Sequence, residues 1–219
     1  IIVKGEPMGT ITPKIAIEHG VGMVHQEFML VNELTVLENI ILGFEPKKGL
    51  TIDFDKARKE VKKYIEQYHM DVQLDKKVSQ ISVGEAQRVE IIKTLMRGAD
   101  IIILDEPTSF LDIKGKIELL TILQKLAHEQ QLAVIVTLHE LDMAQKIADA
   151  VVCVSPHGVS APMSPAQAFA RENIKVLYGL TEAQYSAVFG PPKPENLQFE
   201  HYVRSGQKLL RCGYTTGTC

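Results

Sequence analysis

Two adjacent carboxylates close an apolar run in Ile101-Ile102-Ile103-Leu104-Asp105-Glu106-Pro107-Thr108-Ser109. A short, continuous, β-branched run reads as a strand buried on both faces of a parallel sheet. Ligands of such sheets bind beyond the carboxyl ends of the strands, where Asp105 can hold a magnesium ion through water. Glu106, one residue on, can polarise a water that attacks a phosphate. A plainer reading is a strand that simply ends in a polar turn. Upstream, Ile81-Ser82-Val83-Gly84-Glu85-Ala86-Gln87 joins a hydroxyl, a glycine that permits close approach and a helix start, an arrangement that presents backbone N–H groups to a phosphate. The same string is also a capping box, with Ser82 as N-cap and Glu85 reaching back, and the two readings are compatible. Val24-His25-Gln26 sets an amide after a short strand, where it can touch both a metal and a mobile loop. Val134-Ile135-Val136-Thr137-Leu138-His139 sets an imidazole just past another buried strand, in reach of a phosphate at the neighbouring strand end. An imidazole placed so is also a common structural residue.

The elements that position these residues alternate. The opening reads as a strand over Ile1 to Lys4, a turn at Gly5-Glu6-Pro7, a loop reaching Gly20 and a strand from Gly22 to His25. Apolar residues recur at helical spacing from Leu34 to Gly43. Asp53 is a sound N-cap for a helix whose stripe is Phe54, Ala57, Val61, Tyr64, Ile65 and Tyr68. Lys56, Arg58, Lys59, Lys62 and Lys63 then form a solvated face. A further helix runs from Gly84 to Arg97 and stops at Gly98. Strand Asp100 to Asp105, helix Ile113 to His128, strand Leu132 to Thr137, helix Glu140 to Ala148 and strand Ala150 to Ser155 follow. Such alternation specifies an α/β fold. Past Pro156 the pattern thins to a capped helix at Ser164-Pro165 and another through Tyr178, then a linker at Gly190-Pro191-Pro192-Lys193-Pro194. The tail beyond Pro194 lacks apolar residues at regular spacing and is expected to be poorly ordered.

Composition narrows the function classes. The 219 residues carry 24 Lys and Arg against 27 Asp and Glu, a net charge of -3, which removes the electrostatic footprint of a dedicated nucleic-acid binder. A hydrophobic content of 45% is enough for a sizeable core. No apolar run approaches the roughly 20 residues needed to span a bilayer, so membrane contact is expected through a partner. Cys153, Cys212 and Cys219 form no CxxC pair, which argues against a disulfide framework and a structural zinc site and for a reducing cytoplasm. The apolar start at Ile1, with no Met and no basic segment before it, reads as a fragment.

Taken in order, these residues resemble the nucleotide-binding subunit of ATP-binding-cassette (ABC) transporters over Ile1 to about Gly190. The resemblance implies a P-loop NTPase-like α/β fold with a helical subdomain, N-terminally truncated. It implies Gln26 as the Q-loop glutamine, Ile81 to Glu85 (with Ser82, Gly84 and Glu85 touching nucleotide) as the signature, and Asp105 as the Walker B carboxylate. Glu106 becomes the catalytic base, Ser109 to Asp112 the D-loop, with Asp112 near the nucleotide, and His139 the switch histidine. ATP and Mg2+, the latter on Asp105 and Gln26, are the implied cofactors. A membrane-embedded permease and a second ATP-binding domain are the implied partners, with no nucleic acid, at the inner face of the cell membrane. Val83 departs from the family's usual glycine. The implied division is an ATPase domain over 1–190, its helical subdomain at about 33–98, the core at 1–32 and 99–155 and C-terminal helices at 156–190, with a linker and the start of a possible second domain at 191–219.

Two branches of the family are recognisable. Gly20 to Gly43 and Ser82 to Thr108 resemble importers of simple sugars or nucleosides, whereas Ser109 to Leu123 and Val136 to Val152 resemble importers of iron chelates and cobalamin. KLLRCGYTTGTC, Lys208 to Cys219, resembles the opening of a cobalt-precorrin methyltransferase of cobalamin synthesis. No GxxxxGK[ST] string occurs, although phosphate binding in this fold needs one. In the family that loop precedes the Q-loop by several tens of residues. The isolated chain is therefore expected to be inactive, with a non-catalytic interaction module of the same fold, or part of a fusion with a cobalamin-biosynthesis methyltransferase, as the alternative. Ser82 lies 56 positions after Gln26, room for a compact helical subdomain but not for the long coiled coil of the DNA-repair ATPases of this superfamily.

Overall fold

A computed structural model describes residues 2–155, 158–190, 201–205 and 208–212. The chain divides into two compact units, Ile1–Ala148 and Asp149–Cys219.

The first unit opens with a hairpin of β1 (Ile2–Val3) and β2 (Glu6–Pro7), so the expected turn residues Glu6 and Pro7 are paired. The segment expected to loop as far as Gly20 contains a short helix, α1 (Pro13–Glu18). Thr12 caps it by accepting the Ile15 N–H, and Pro13 supplies the preset first turn. Strand β3 (Val21–Val24) leads to α2 (Val36–Ile41), one turn shorter than the spacing predicted because Thr35 and Glu38 close a capping box. A two-strand ribbon, β4 (Lys47–Lys48) and β5 (Thr51–Ile52), precedes α3 (Phe54–Tyr68). Asp53 caps α3 as expected, accepting the Lys56 N–H at 2.9 Å. Ala57 and Val61 of its stripe are fully buried, while Phe54, in the first turn, stays exposed. Arg58 leaves the solvated face to pair with Asp75 at 3.1 Å.

Helix α4 (Val83–Met96) is buried on most of its surface, its polar Gln87, Glu90, Lys93 and Thr94 included, and it packs on α2, α3 and β3. Val89, Ile91, Ile92 and Leu95 sit with Ile40, Ile41 and Val61 in one core. Burial of that kind, not helix propensity, holds such segments. Strand β6 (Ile101–Leu104), α5 (Ile113–His128), β7 (Ala133–Val136) and α6 (Leu141–Ile147) complete the unit.

Strands β3, β6 and β7 form one parallel sheet in that order, with Val24, Leu104 and Val136 in register. Alternation puts Val24, Ile102 and Leu104 against the helices, all at 1% exposure or less, and turns Met23, Ile103 and Ile135 to the other face. Met23 is 45% and Ile135 54% exposed there. The reading of β6 as buried on both faces therefore holds for one face of this three-strand sheet.

In the second unit the expected strand over Ala150 to Ser155 does not continue the parallel sheet. Val151 makes a single bridge to Met163, and β8 (Val154–Ser155) turns back antiparallel onto β9 (Gly158–Val159). Helix α7 (Pro165–Ala168) is capped by Ser164, α8 (Arg171–Tyr178) ends at a left-handed Gly179, and an unexpected α9 (Glu182–Phe189), capped by Thr181, follows. The tail expected to be poorly ordered carries an antiparallel hairpin, β10 (His201–Ser205) and β11 (Lys208–Cys212). Tyr202 and Val203 favour a strand, but runs of five residues are too short for a periodic signal to stand out. The linker residues 191–194 and the end of the methyltransferase-like string, residues 213–219, lie outside the described residues. Among the described residues no helix is long and apolar enough to cross a membrane.

Candidate active site

The carboxyl ends of three neighbouring strands deliver the chemistry to one place. Past its last paired residue, each strand gives up its side chains to the crevice. Asp105 N–H still donates to Val24 O at 3.0 Å and Thr137 N–H to Leu104 O at 3.0 Å, so the sheet's ladder extends one step and fixes the stagger of Gln26, Asp105 and His139.

Glu106 is the hub. Its backbone turns into the left-handed region, with φ at 43°, an uncommon conformation for a residue bearing a Cβ. Thr137 holds it there: its Oγ1 accepts the Glu106 N–H at 2.8 Å and donates to Asp105 Oδ1 at 2.8 Å. One hydroxyl thus ties both carboxylate residues to the end of β7. The Glu106 carboxylate accepts from Gln26 Nε2 at 3.2 Å and from Ser109 Oγ at 3.2 Å on Oε2, while Oε1 meets His139 Nε2. The side chain of His139 is 78% exposed and that of Glu106 27%.

The next residue of the histidine loop is anchored too. Glu140 Oε2 accepts from Thr108 Oγ1 at 3.0 Å, and Oε1 pairs with Lys116 of α5. The Lys116 ammonium, and after it the Thr108 hydroxyl, holds the Glu140 carboxyl below the usual carboxylate range against a smaller opposing effect of burial. The sequence assigns no site role to Thr137, Thr108, Glu140 or Lys116, and it marks Ser109 only as the first residue of the expected D-loop. A polar residue ending an otherwise apolar strand, as Thr137 does, was the one available signal.

The residues expected to form the signature make their own group at the start of α4. Ser82 Oγ accepts the Glu85 N–H at 3.3 Å, and Glu85 Oε2 accepts from Ser82 N–H at 3.0 Å and Oγ at 2.9 Å. The Ser82 N–H bond, and less strongly its hydroxyl, lowers the Glu85 pKa. The capping-box reading is therefore realised. Gly84 has room to spare: a Cβ there would come no nearer than 3.8 Å to Leu111. Asp112 is engaged as the N-cap of α5, accepting the Gly115 N–H at 2.7 Å.

Among the described residues no group of three or more His, Cys, Asp or Glu side chains converges on a point. Asp105, with Thr137 on one oxygen, and the Gln26 amide supply one oxygen each at most. That suits Mg2+, which keeps several waters and takes one or two protein ligands together with substrate phosphates.

Comparison with known proteins accords with this geometry. Residues 1–109 match the ABC transporter family. The chain is similar to the nucleoside import ATP-binding protein NupA of Lactococcus lactis, 44% identical over 69% of this chain and 30% of that protein. It is 48% identical to the guanosine import ATP-binding protein NupO of Bacillus subtilis over 59% of this chain and 25% of that protein. A galactose/methyl galactoside import ATP-binding protein, MglA of Haemophilus influenzae, is 37% identical over 69% of this chain. The chain thus spans less than a third of the length of these three relatives. Among solved structures, the ATP-binding cassette MJ0796 bound to ADP and Pi superimposes with a TM-score of 0.56 at 25% identity, covering 69% of this chain and 66% of that one. The cbiO1 protein of Clostridium perfringens shares the fold at a TM-score of 0.64 and 22% identity, over 85% of this chain and 74% of that one. The parallel sheet, the capped helix α4 and the Gln26–Glu106–His139 cluster at the strand ends accord with these likenesses, and over residues 1–109 the chain belongs to the ABC transporter family.

Proposed function

We propose that this chain is part of the ATP-hydrolysing subunit of an importer whose cargo is a nucleoside or a simple sugar. The observation that carries the chemistry is the convergence of Gln26, Ser109 and His139 on the Glu106 carboxylate, one residue beyond Asp105 at the end of β6. In this reading Glu106 takes the proton of the attacking water, and His139 and Gln26 turn from Glu106 to the nucleotide when it arrives. Bound Mg2+ would neutralise phosphate charge, with Asp105 holding it through water and Gln26 beside it. Ser82 and Gly84 act on the nucleotide of a second ATP-binding domain. Their surroundings support this, since among the described residues no atom comes nearer than 3.8 Å to a Cβ at position 84. The cargo reading rests on the nucleoside and sugar importers among the relatives; the resemblance of Ser109 to Leu123 and Val136 to Val152 to importers of iron or corrinoid chelates is the second candidate. The 219 residues hold no GxxxxGK[ST] string, so the nucleotide's phosphates are cradled by residues outside them and the isolated chain is inactive.

The test is Glu106→Gln in an assembled transporter with its permease. ATP binding should persist while hydrolysis falls by at least about 100-fold, the scale of losing a general base. Near-normal turnover in that variant would remove Glu106 from the mechanism, and uptake assays with a labelled nucleoside, a galactoside and a ferric chelate would decide the cargo.

A further inference from the structure

The loop that leaves Gln26 for α2 is held by two buried polar side chains, one from each of two helices. From α4, Lys93 donates its Nζ to the carbonyl of Met29 at 3.0 Å, although the Lys93 residue is only 8% exposed. From α2, the fully buried Asn39 grips Val31 on both sides, accepting its N–H at 2.7 Å and donating to its carbonyl at 3.0 Å, with a further bond to Thr35 O at 3.0 Å.

Lys93 is an expensive residue to place there. Its neighbour Glu90, one turn back and 6% exposed, stands 3.8 Å away, and Glu90 Oε1 is buried without a hydrogen-bond partner among the described residues. Burying such a pair generally costs more than a well-packed apolar pair of similar volume, and the flanking Val89, Ile91, Ile92 and Leu95 show that this part of α4 lies in an apolar core. Burial also pushes the Lys93 ammonium below the ordinary lysine range, with Glu90 opposing. What the pair secures is position. The loop's carbonyl at Met29 lies three residues from Gln26, and the helix that holds it begins at the signature. From Ser82 to Lys93 the helix spans roughly 16 Å at 1.5 Å per residue.

We propose that Lys93, seconded by Asn39, is a positioning residue that fastens the Gln26 loop to the signature helix, so that Gln26 and Ser82-Gly84 change position together. The structural half of this stands on the bonds above; the functional half rests on the ATPase reading of the previous subsection.

Hydrogen exchange on the full chain tests the first half. Lys93→Met combined with Glu90→Gln removes the pair without leaving a lone buried charge. The amides of residues 28–34, Val31 above all, should exchange at least about tenfold faster, the scale of losing one charge-assisted hydrogen bond. The amides of Ile91 and Ile92 should stay within about threefold of the parent. Unchanged exchange at Val31, or an equal rise throughout α2 and α4, would overturn the proposal. In the assembled transporter the same double variant should retain ATPase activity within about threefold and lose at least about tenfold in transport. Equal loss of both would overturn the coupling role. A parent assembly that hydrolyses no ATP would instead refute the ATPase reading, with the exchange measurement still deciding whether Lys93 holds the loop.

Discussion

Replacing Glu106 by Gly and by Ala should reverse the usual order of these two residues. In an ordinary right-handed conformation Gly is the less stable choice, by about 0.4–1 kcal/mol, because it gives the unfolded chain more freedom to lose. Glu106 has φ at 43°, and in that region a Cβ meets its own carbonyl at a cost of roughly 1–2 kcal/mol that Gly escapes. Both variants lose the same contacts to Gln26, Ser109 and His139, so those energies cancel in the comparison. The balance leaves Glu106→Gly more stable than Glu106→Ala by about 0.5–1 kcal/mol, against a deficit of similar size if the backbone were right-handed. Urea unfolding followed by far-ultraviolet circular dichroism suits a chain with no tryptophan, and at a common slope the midpoints give the difference directly. Glu106→Ala equal to or above Glu106→Gly would refute the strained turn, and with it the claim that Thr137 holds Glu106 against an intrinsic preference.

Two further outcomes follow from the same loop. Thr137→Val should cost about 0.5–1.5 kcal/mol of stability, since water replaces the lost partners at this exposed position, and should lower ATPase activity in the assembled transporter while Thr137→Ser restores both; a Val variant with full activity would remove the bridging hydroxyl from the site. The Glu140 carboxyl, held by Lys116 below its ordinary value of 4.5, adds stability that is fully present above that value and lost as pH falls through its folded-state value, so Glu140→Gln should shrink the difference in unfolding free energy between pH 7 and pH 3, and an unchanged difference would show that the Lys116 pair carries no linkage.

The helices and the strand ends were legible because local rules and tertiary packing agree there. Asp53 and Ser82 are caps by residue type, and each accepts its expected N–H. The run Ile101 to Leu104 is a strand by composition and by register. Legibility failed where one of these was missing. Helix α1 has no buried residue, so no apolar stripe announces it, and only Thr12 and Pro13 mark its start. The strand expected at Ala150 to Ser155 was read from apolar content alone. Val152 and Val154 are largely exposed in the structure, which a strand inside a parallel sheet would not allow.

The site divides along the same line. Gln26, Asp105, Glu106 and His139 were marked by residue type at strand ends, and the sheet brings them together because parallel strands in register must release their side chains at one edge. Their supports, Thr137, Thr108, Glu140 and Lys116, act through bonds spanning 24 to 32 positions of sequence, and no local pattern encodes such a distance. Ser82 and Glu85 pose the converse case. Their capping box explains them completely as structure, yet under the proposed function the Ser82 hydroxyl that caps α4 is also the group that meets a phosphate held by a second domain, beside Gly84, where a Cβ would come no nearer than 3.8 Å to Leu111. The cap sets the hydroxyl and the first N–H groups of α4 at the helix terminus, where the dipole favours an anion. On that proposal a residue whose structural role is complete is also one that binds, and Gly84, with no atom of the described residues pressed against a Cβ there, is where the two roles part.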